Sequence, residues 1–142
     1  SFLRGLNPIF LDLDPVHLER YPHFESSSKW DSVRRAMGHT REFAERIDLA
    51  SMTPRPDIAS SGYCLANEGR EFLVYLPENS QSESVKQTVS VDLSTASTPL
   101  TVEWFNPTTA QTILAGTTKG GTMKNFTAPF SGDAVLYVHS QN

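Results

Sequence analysis

From Ser60 onward the chain breaks into short runs in which apolar and polar residues alternate, each closed by residues that favour turns. No other feature constrains the fold as much, because regularly spaced alternating runs are the pattern of a sandwich or barrel. The runs are Gly62–Asn67, Glu71–Leu76, Val85–Leu93, Leu100–Phe105, Thr112–Ala115, Thr122–Ala128 and Ala134–His139. Between them lie Asn67-Glu68-Gly69-Arg70, Pro77-Glu78-Asn79-Ser80, Asn106-Pro107-Thr108-Thr109, Gly120-Gly121 and Ser131-Gly132-Asp133. Such residues turn the chain through positive φ, fixed φ or side-chain bonds to their own backbone. Side chains i and i+2 share a face of a strand. The alternation therefore predicts inward rows of Phe72, Val74 and Leu76; Val89, Val91 and Leu93; Leu100, Val102 and Trp104; and Leu136 with Val138. Seven strands of this kind read as an immunoglobulin-like antiparallel β-sandwich of about eighty residues, against the ~100 usual for that fold.

Residues 1–59 follow another rhythm. Asn7-Pro8-Ile9-Phe10-Leu11-Asp12 is a short apolar run of the sort buried on both sides in parallel sheets. A polar stretch with Pro15 and Pro22 follows, and then Ser28 and Asp31 stand at the spacing of a capping box. Trp30, Val33, Met37, Thr40, Ala44 and Ile47 recur at spacings of three and four, which predicts a helix with one apolar stripe. Arg34, Arg35, Arg41, Glu42, Glu45 and Arg46 fall largely opposite and read as a solvated face, as do Glu19 and Arg20 on the preceding loop. Gly38 inside that helix predicts close approach of another element. Thr53-Pro54-Arg55-Pro56 is expected to end the helix and form a stiff linker, since proline has no N–H to donate. The expected organisation is a strand–loop–helix segment over residues 1–56 and a sandwich over 57–142. One strand and one helix bury little alone, so the stripe needs a cover: the sandwich, or the same stripe on a second chain. The second, a homodimer, is the expectation here, because the sandwich already has a core and a twofold axis covers such a surface symmetrically.

Composition removes several classes of function. The chain has 142 residues, a formal net charge of −4 and a pI near 5.5, without basic clusters. That argues against nucleic acid and against an anionic membrane surface. No apolar run is long enough to span a bilayer, and the first residues lack the apolar core of a signal peptide. Cys64 is the single cysteine, so no disulfide forms within the chain, and between Tyr63 and Leu65 it reads as a small buried hydrophobe. His17, His23, His39 and His139 fall in no metal-ligand spacing, and neither a metal nor a cofactor is expected. No nucleophile constellation stands out, so this chain alone is expected not to be an enzyme.

The wording of the sequence resembles a known family. Asn7-Pro8-Ile9-Phe10-Leu11-Asp12, Arg34-Arg35-Ala36-Met37-Gly38 and Asp48-Leu49-Ala50-Ser51-Met52-Thr53-Pro54 resemble the end of the barrel in apiosidase-like glycoside hydrolases, endoglycosidases of gut and environmental bacteria. Gly62-Tyr63-Cys64-Leu65-Ala66-Asn67, Glu71-Phe72-Leu73-Val74-Tyr75-Leu76-Pro77, Val102-Glu103-Trp104-Phe105-Asn106-Pro107 and Phe126-Thr127-Ala128-Pro129-Phe130-Ser131-Gly132-Asp133 resemble the C-terminal sandwich of the same proteins, often called a collagen-binding domain of a collagenase. The resemblance implies that residues 1–56 are the last unit of a (β/α)8 barrel, and that the parent is a secreted or periplasmic glycoside hydrolase. A barrel needs roughly 250 residues, and its paired carboxylates would lie upstream of Ser1. Asp12, at the end of the last barrel strand, is at most substrate-lining in that parent.

Three roles follow. The sandwich is a structural accessory that stabilises or orients the barrel, its partner; or it is a binding module for glycan or collagen; or, least expected, the chain completes a glycosidase site through its barrel strand. Binding would use flat aromatic rings. Trp104 shares a face with Leu100 and Val102 and is expected in the core. Phe105 and Tyr75 point the other way, toward exposure, and with Asn106 at the following turn they are the candidate ligand contacts. The competing reading, favoured here, is that a neighbouring element covers both rings, because isolated surface aromatics carry little information. A coplanar exposed aromatic pair would favour binding; a continuous apolar patch toward residues 1–59 would favour the accessory role.

Overall fold

The structure, a computed structural model, describes residues 31–78 and 86–140, with the side chains of residues 32 and 33 left aside. It is mainly β, with one helix ahead of two antiparallel sheets. Helix α1 (Asp31–Ala44) is followed by a 3-10 turn (Leu49–Ser51) and by β1 (Thr53–Pro54), β2 (Cys64–Asn67), β3 (Glu71–Leu76), β4 (Thr88–Asp92), β5 (Pro99–Phe105), β6 (Thr112–Lys119), β7 (Met123–Thr127) and β8 (Ala134–Ser140). The larger sheet has the order β1-β2-β3-β8-β5-β6, and β4 pairs with β7 in a separate ribbon. All seven expected runs contain a strand. Five of these strands lie in the large sheet, which β1 extends to six, and two form the ribbon, a division unlike the four and three of an immunoglobulin constant domain. The ribbon gains a third, irregular member: Ala59 bridges to Val91, Ser60 N–H donates to Ser90 O (2.9 Å) and Asp92 N–H to Ile58 O (2.9 Å).

Alternation sets the inner core as the sequence predicts. Phe72, Val74, Leu76, Val89, Val91, Leu93, Leu100, Val102, Trp104, Leu136 and Val138 are all buried in one cluster between the sheet and the ribbon. Each large apolar side chain taken from water there contributes about 1.5–3 kcal/mol. Cys64 lies in the same cluster, and burial pushes its thiol up to about 12.

Where sequence and structure part, the reasons are local. Strand β6 runs on to Lys119, four residues past its expected end, because an edge strand meets solvent on most sides and its alternation fades. A bulge opposite Val102 and Glu103 falls where Gly116 takes φ 97°, a backbone state that suits glycine. At Gly120 a β-carbon would collide with the Ala96 carbonyl oxygen, so the β6–β7 turn requires glycine. At Gly38, by contrast, none of the described residues lies within 4 Å of a built β-carbon, so the expected close approach is not made by any of them. Where a stiff linker is expected, Thr53 and Pro54 form an edge strand opposite Ala66 and Leu65; an edge is where a strand tolerates proline. The strand expected at residues 7–12, the loop to Ser27, Ser28 and Trp30 lie outside the described residues.

Candidate functional site

The outer face of the large sheet carries a second apolar layer. Leu65 on β2, Leu73 on β3, Tyr137 on β8 and Phe105 on β5 are buried there with Phe43, Ile47 and Met52, and Tyr75, Val135, Leu49 and Ala110 pack around them. The cover is the stretch from Phe43 to Met52. It folds down because α1 ends in a tightened turn: Arg46 N–H donates to Phe43 O and Ile47 N–H to Ala44 O, both at 3.2 Å. Phe43 and Ile47, four residues apart, then face the sheet together. The expected stripe is shifted accordingly. Ile47 is buried, while Met37, Thr40 and Ala44 are only half-buried, and Phe43, which the spacing left out, is the deepest of the described side chains of α1.

Phe43 stacks on Phe105 with ring centroids 4.5 Å apart and planes at 17°, and meets Tyr137 edge-on at 6.0 Å. Phe105 is thus 5% exposed. The expectation that it points away from Trp104 holds, but its exposure does not: Phe43 occupies the surface a ligand would need. Tyr75 shares a cross-strand row with Val135 and Phe105. Its hydroxyl donates to Asp133 Oδ1 (2.9 Å), and burial, then that bond, push its pKa up to about 12. Tyr63 sits 5.8 Å from Tyr75 with planes at 67°, an edge-on pair and not a coplanar platform. Asn106 fastens its own turn: Oδ1 accepts the N–H groups of Thr108 (2.9 Å) and Thr109 (3.1 Å). The structure therefore brings Phe105, Tyr75 and Asn106 to one end of the outer face, each already engaged by protein groups. Asp12 lies outside the described residues.

A polar border runs along this seam. Arg46, expected as a solvated charge, donates to Glu103 Oε2 at 2.8 Å and places its guanidinium 5.4 Å from the Phe43 ring centre. Tyr137 donates its hydroxyl to Glu71 Oε1 (2.7 Å), and burial, followed by that bond, raises its pKa. His139 stacks on Tyr137 at 4.5 Å. Two carboxylates, a guanidinium, a phenol and an imidazole from four separate segments thus meet where the helical segment joins the sheet. Sequence reasoning missed this cluster and Phe43. The signal for Phe43 was present: with His39 and Ile47 it forms a second row at spacing four, beside the one that was read. Among the described residues no group of three His, Cys, Asp or Glu side chains is placed to hold a metal ion, and no helix is long and apolar enough to cross a membrane.

Comparison with known proteins places the architecture. No family model matches the chain, and no curated protein does. Solved structures do. A protein described as a glycoside hydrolase superposes with a TM-score of 0.58 at 14% identity, over 75% of this chain and 25% of its own. A glycoside hydrolase family 5 protein from Bacteroides vulgatus gives 0.57 at 14% identity, over 74% and 24%. The fold recurs within glycoside hydrolases. At that identity the likeness is one of fold, and the chain spans about a quarter of the length of the structures it matches.

Proposed function

We propose that this chain is a non-catalytic accessory of a glycoside hydrolase-like protein, a sandwich that stabilises or orients the barrel preceding it. The observation that carries this reading is the apolar seam. Phe43, Ile47 and Met52 are spent on the outer face of the sheet, so the segment leading into the sandwich is fixed to it and not joined by a free linker. Whatever precedes α1 inherits an orientation from the sandwich. The fold shared with glycoside hydrolases supports a partner of that class, and the resemblance of residues 1–56 to the end of an apiosidase-like barrel agrees with it. Glycan or collagen binding is the weaker reading, because Phe105 lies beneath Phe43 and Tyr63 with Tyr75 forms no flat platform.

The test uses a gene product in which a barrel precedes this sequence. Phe43→Ala and Phe105→Ala should lower the melting temperature of the barrel and its turnover of glycosides, although neither residue belongs to a barrel site. The 142-residue chain by itself should hydrolyse no aryl glycoside or plant polysaccharide. Turnover by that chain above a heat-killed control, or an unaltered barrel in both variants, would overturn the proposal.

A further inference from the structure

We propose that His139 is a proton-gated contact of the seam, which tightens the hold of the sheet on the helical segment when the ring takes up its second proton. The geometry fixes how the ring is used. Nδ1 lies 3.0 Å from the carbonyl oxygen of Ser140, and a carbonyl only accepts, so Nδ1 carries a hydrogen. Nε2 is buried and has no hydrogen-bond partner. The charged atom facing it is Glu103 Oε1, 3.5 Å away. In the neutral ring a lone pair on Nε2 looks at a carboxylate, and a buried acceptor is left unsatisfied. In the imidazolium the same atom donates toward Glu103.

Two carboxylates border the ring. Glu103 on β5 faces Nε2 directly, and its other oxygen is held by Arg46 from the segment after α1. Glu71 on β3 is the cross-strand partner of His139 and accepts from Tyr137, on which the imidazole stacks. Arg70, in the turn before β3, meets this end of β8 through its backbone, its carbonyl accepting the Ser140 N–H (2.7 Å). The Arg46 guanidinium holds one oxygen of Glu103, and a charged His139 supplies a second cation at the other. Glu103 becomes a bridge, with Arg46 of the helical segment on one oxygen and His139 of the sheet on the other. Proton uptake therefore favours the seated arrangement of residues 43–52.

The test follows the ring and the seam in the same acid titration of the full chain. Ring nitrogen spectra report the tautomer and the second proton of His139. Amide exchange of residues 43–52, corrected for intrinsic rates, reports seating. The expected result is an Nδ1–H neutral tautomer and a rise in protection that coincides with the second proton. His139→Gln should lose that step while the sheet amides stay protected. Glu103→Gln should lose it although the ring still titrates, and His39→Gln should keep it. A bare Nδ1 in the neutral ring, or parallel protection curves for wild type and His139→Gln, would overturn the proposal.

Discussion

Replacing Phe43 by alanine isolates the seam from the rest of the molecule. The side chain is 6% exposed and belongs to the outer cluster, with no member of the inner core among its cluster neighbours. Truncation of a buried phenylalanine costs about 3–5 kcal/mol, of which the stacked contact with Phe105 contributes about 0.5–1.5 kcal/mol. Because the inner core is untouched, this loss should appear as local opening of the segment before β1 and not as global unfolding. Limited proteolysis reads it: cleavage between Arg41 and Met52 should accelerate, while the sheet survives as a trimmed fragment. The uncovered face, with Leu65, Leu73, Phe105 and Tyr137, should then bind a hydrophobic dye. Phe105→Ala should give the same fragment, and the double mutant should fall short of additivity by the stacking energy. Cleavage and dye binding unchanged from wild type would refute the idea that Phe43 holds the segment down.

Other perturbations address other layers. Trp104→Ala, inside the core cluster, should cost about 3–5 kcal/mol and lower the single thermal transition of the whole sandwich, with no separate release of residues 43–52. The folded Tyr75 hydroxyl has its pKa raised from 10.0 to about 12. Its contribution is therefore fully present below pH 10.0 and lost as pH rises toward about 12. Tyr137 and Cys64, whose pKa values are also raised, bring the same kind of decline in Tyr75→Phe, so in alkaline denaturation stability should fall more steeply in wild type than in that variant. Cys64, buried with its thiol pushed up to about 12, should resist alkylation at neutral pH in the native chain and react on addition of denaturant.

How much of this was legible in the sequence depends on which face a residue serves. Inner rows such as Phe72-Val74-Leu76 and Leu100-Val102-Trp104 alternate with polar or differently placed neighbours, and a period of two names them without a structure. The outer layer hides in the same strands. Leu73, Tyr75, Val135 and Tyr137 fill the off-phase positions, so the β3 and β8 runs read as nearly continuous apolar segments, which already signals burial on both faces. What the alternation does not reveal is the cover. Phe43 belongs to a helical row next to the one chosen, and only the tightened turn after Ala44 decides between them. The Arg46–Glu103 pair spans 57 residues of sequence, and His139 joins it only because β8 lies between β3 and β5. No local pattern encodes such neighbours; strand order does. Asn106 could be read more closely, since an asparagine ahead of Pro107 and two threonines favours a side-chain-closed turn, which is its use here.

The orienting role requires the helical segment and the large sheet to behave as one body, and residual dipolar couplings measured on the 142-residue chain in a dilute aligned medium test this most directly. Amide couplings from the later turns of α1, from Leu49–Ser51 and from strands β2, β3, β5 and β8 should fit one alignment tensor with the structure. A separate or strongly reduced tensor for α1 would mean that Phe43, Ile47 and Met52 do not fix it to the sandwich, and the orienting role would be withdrawn.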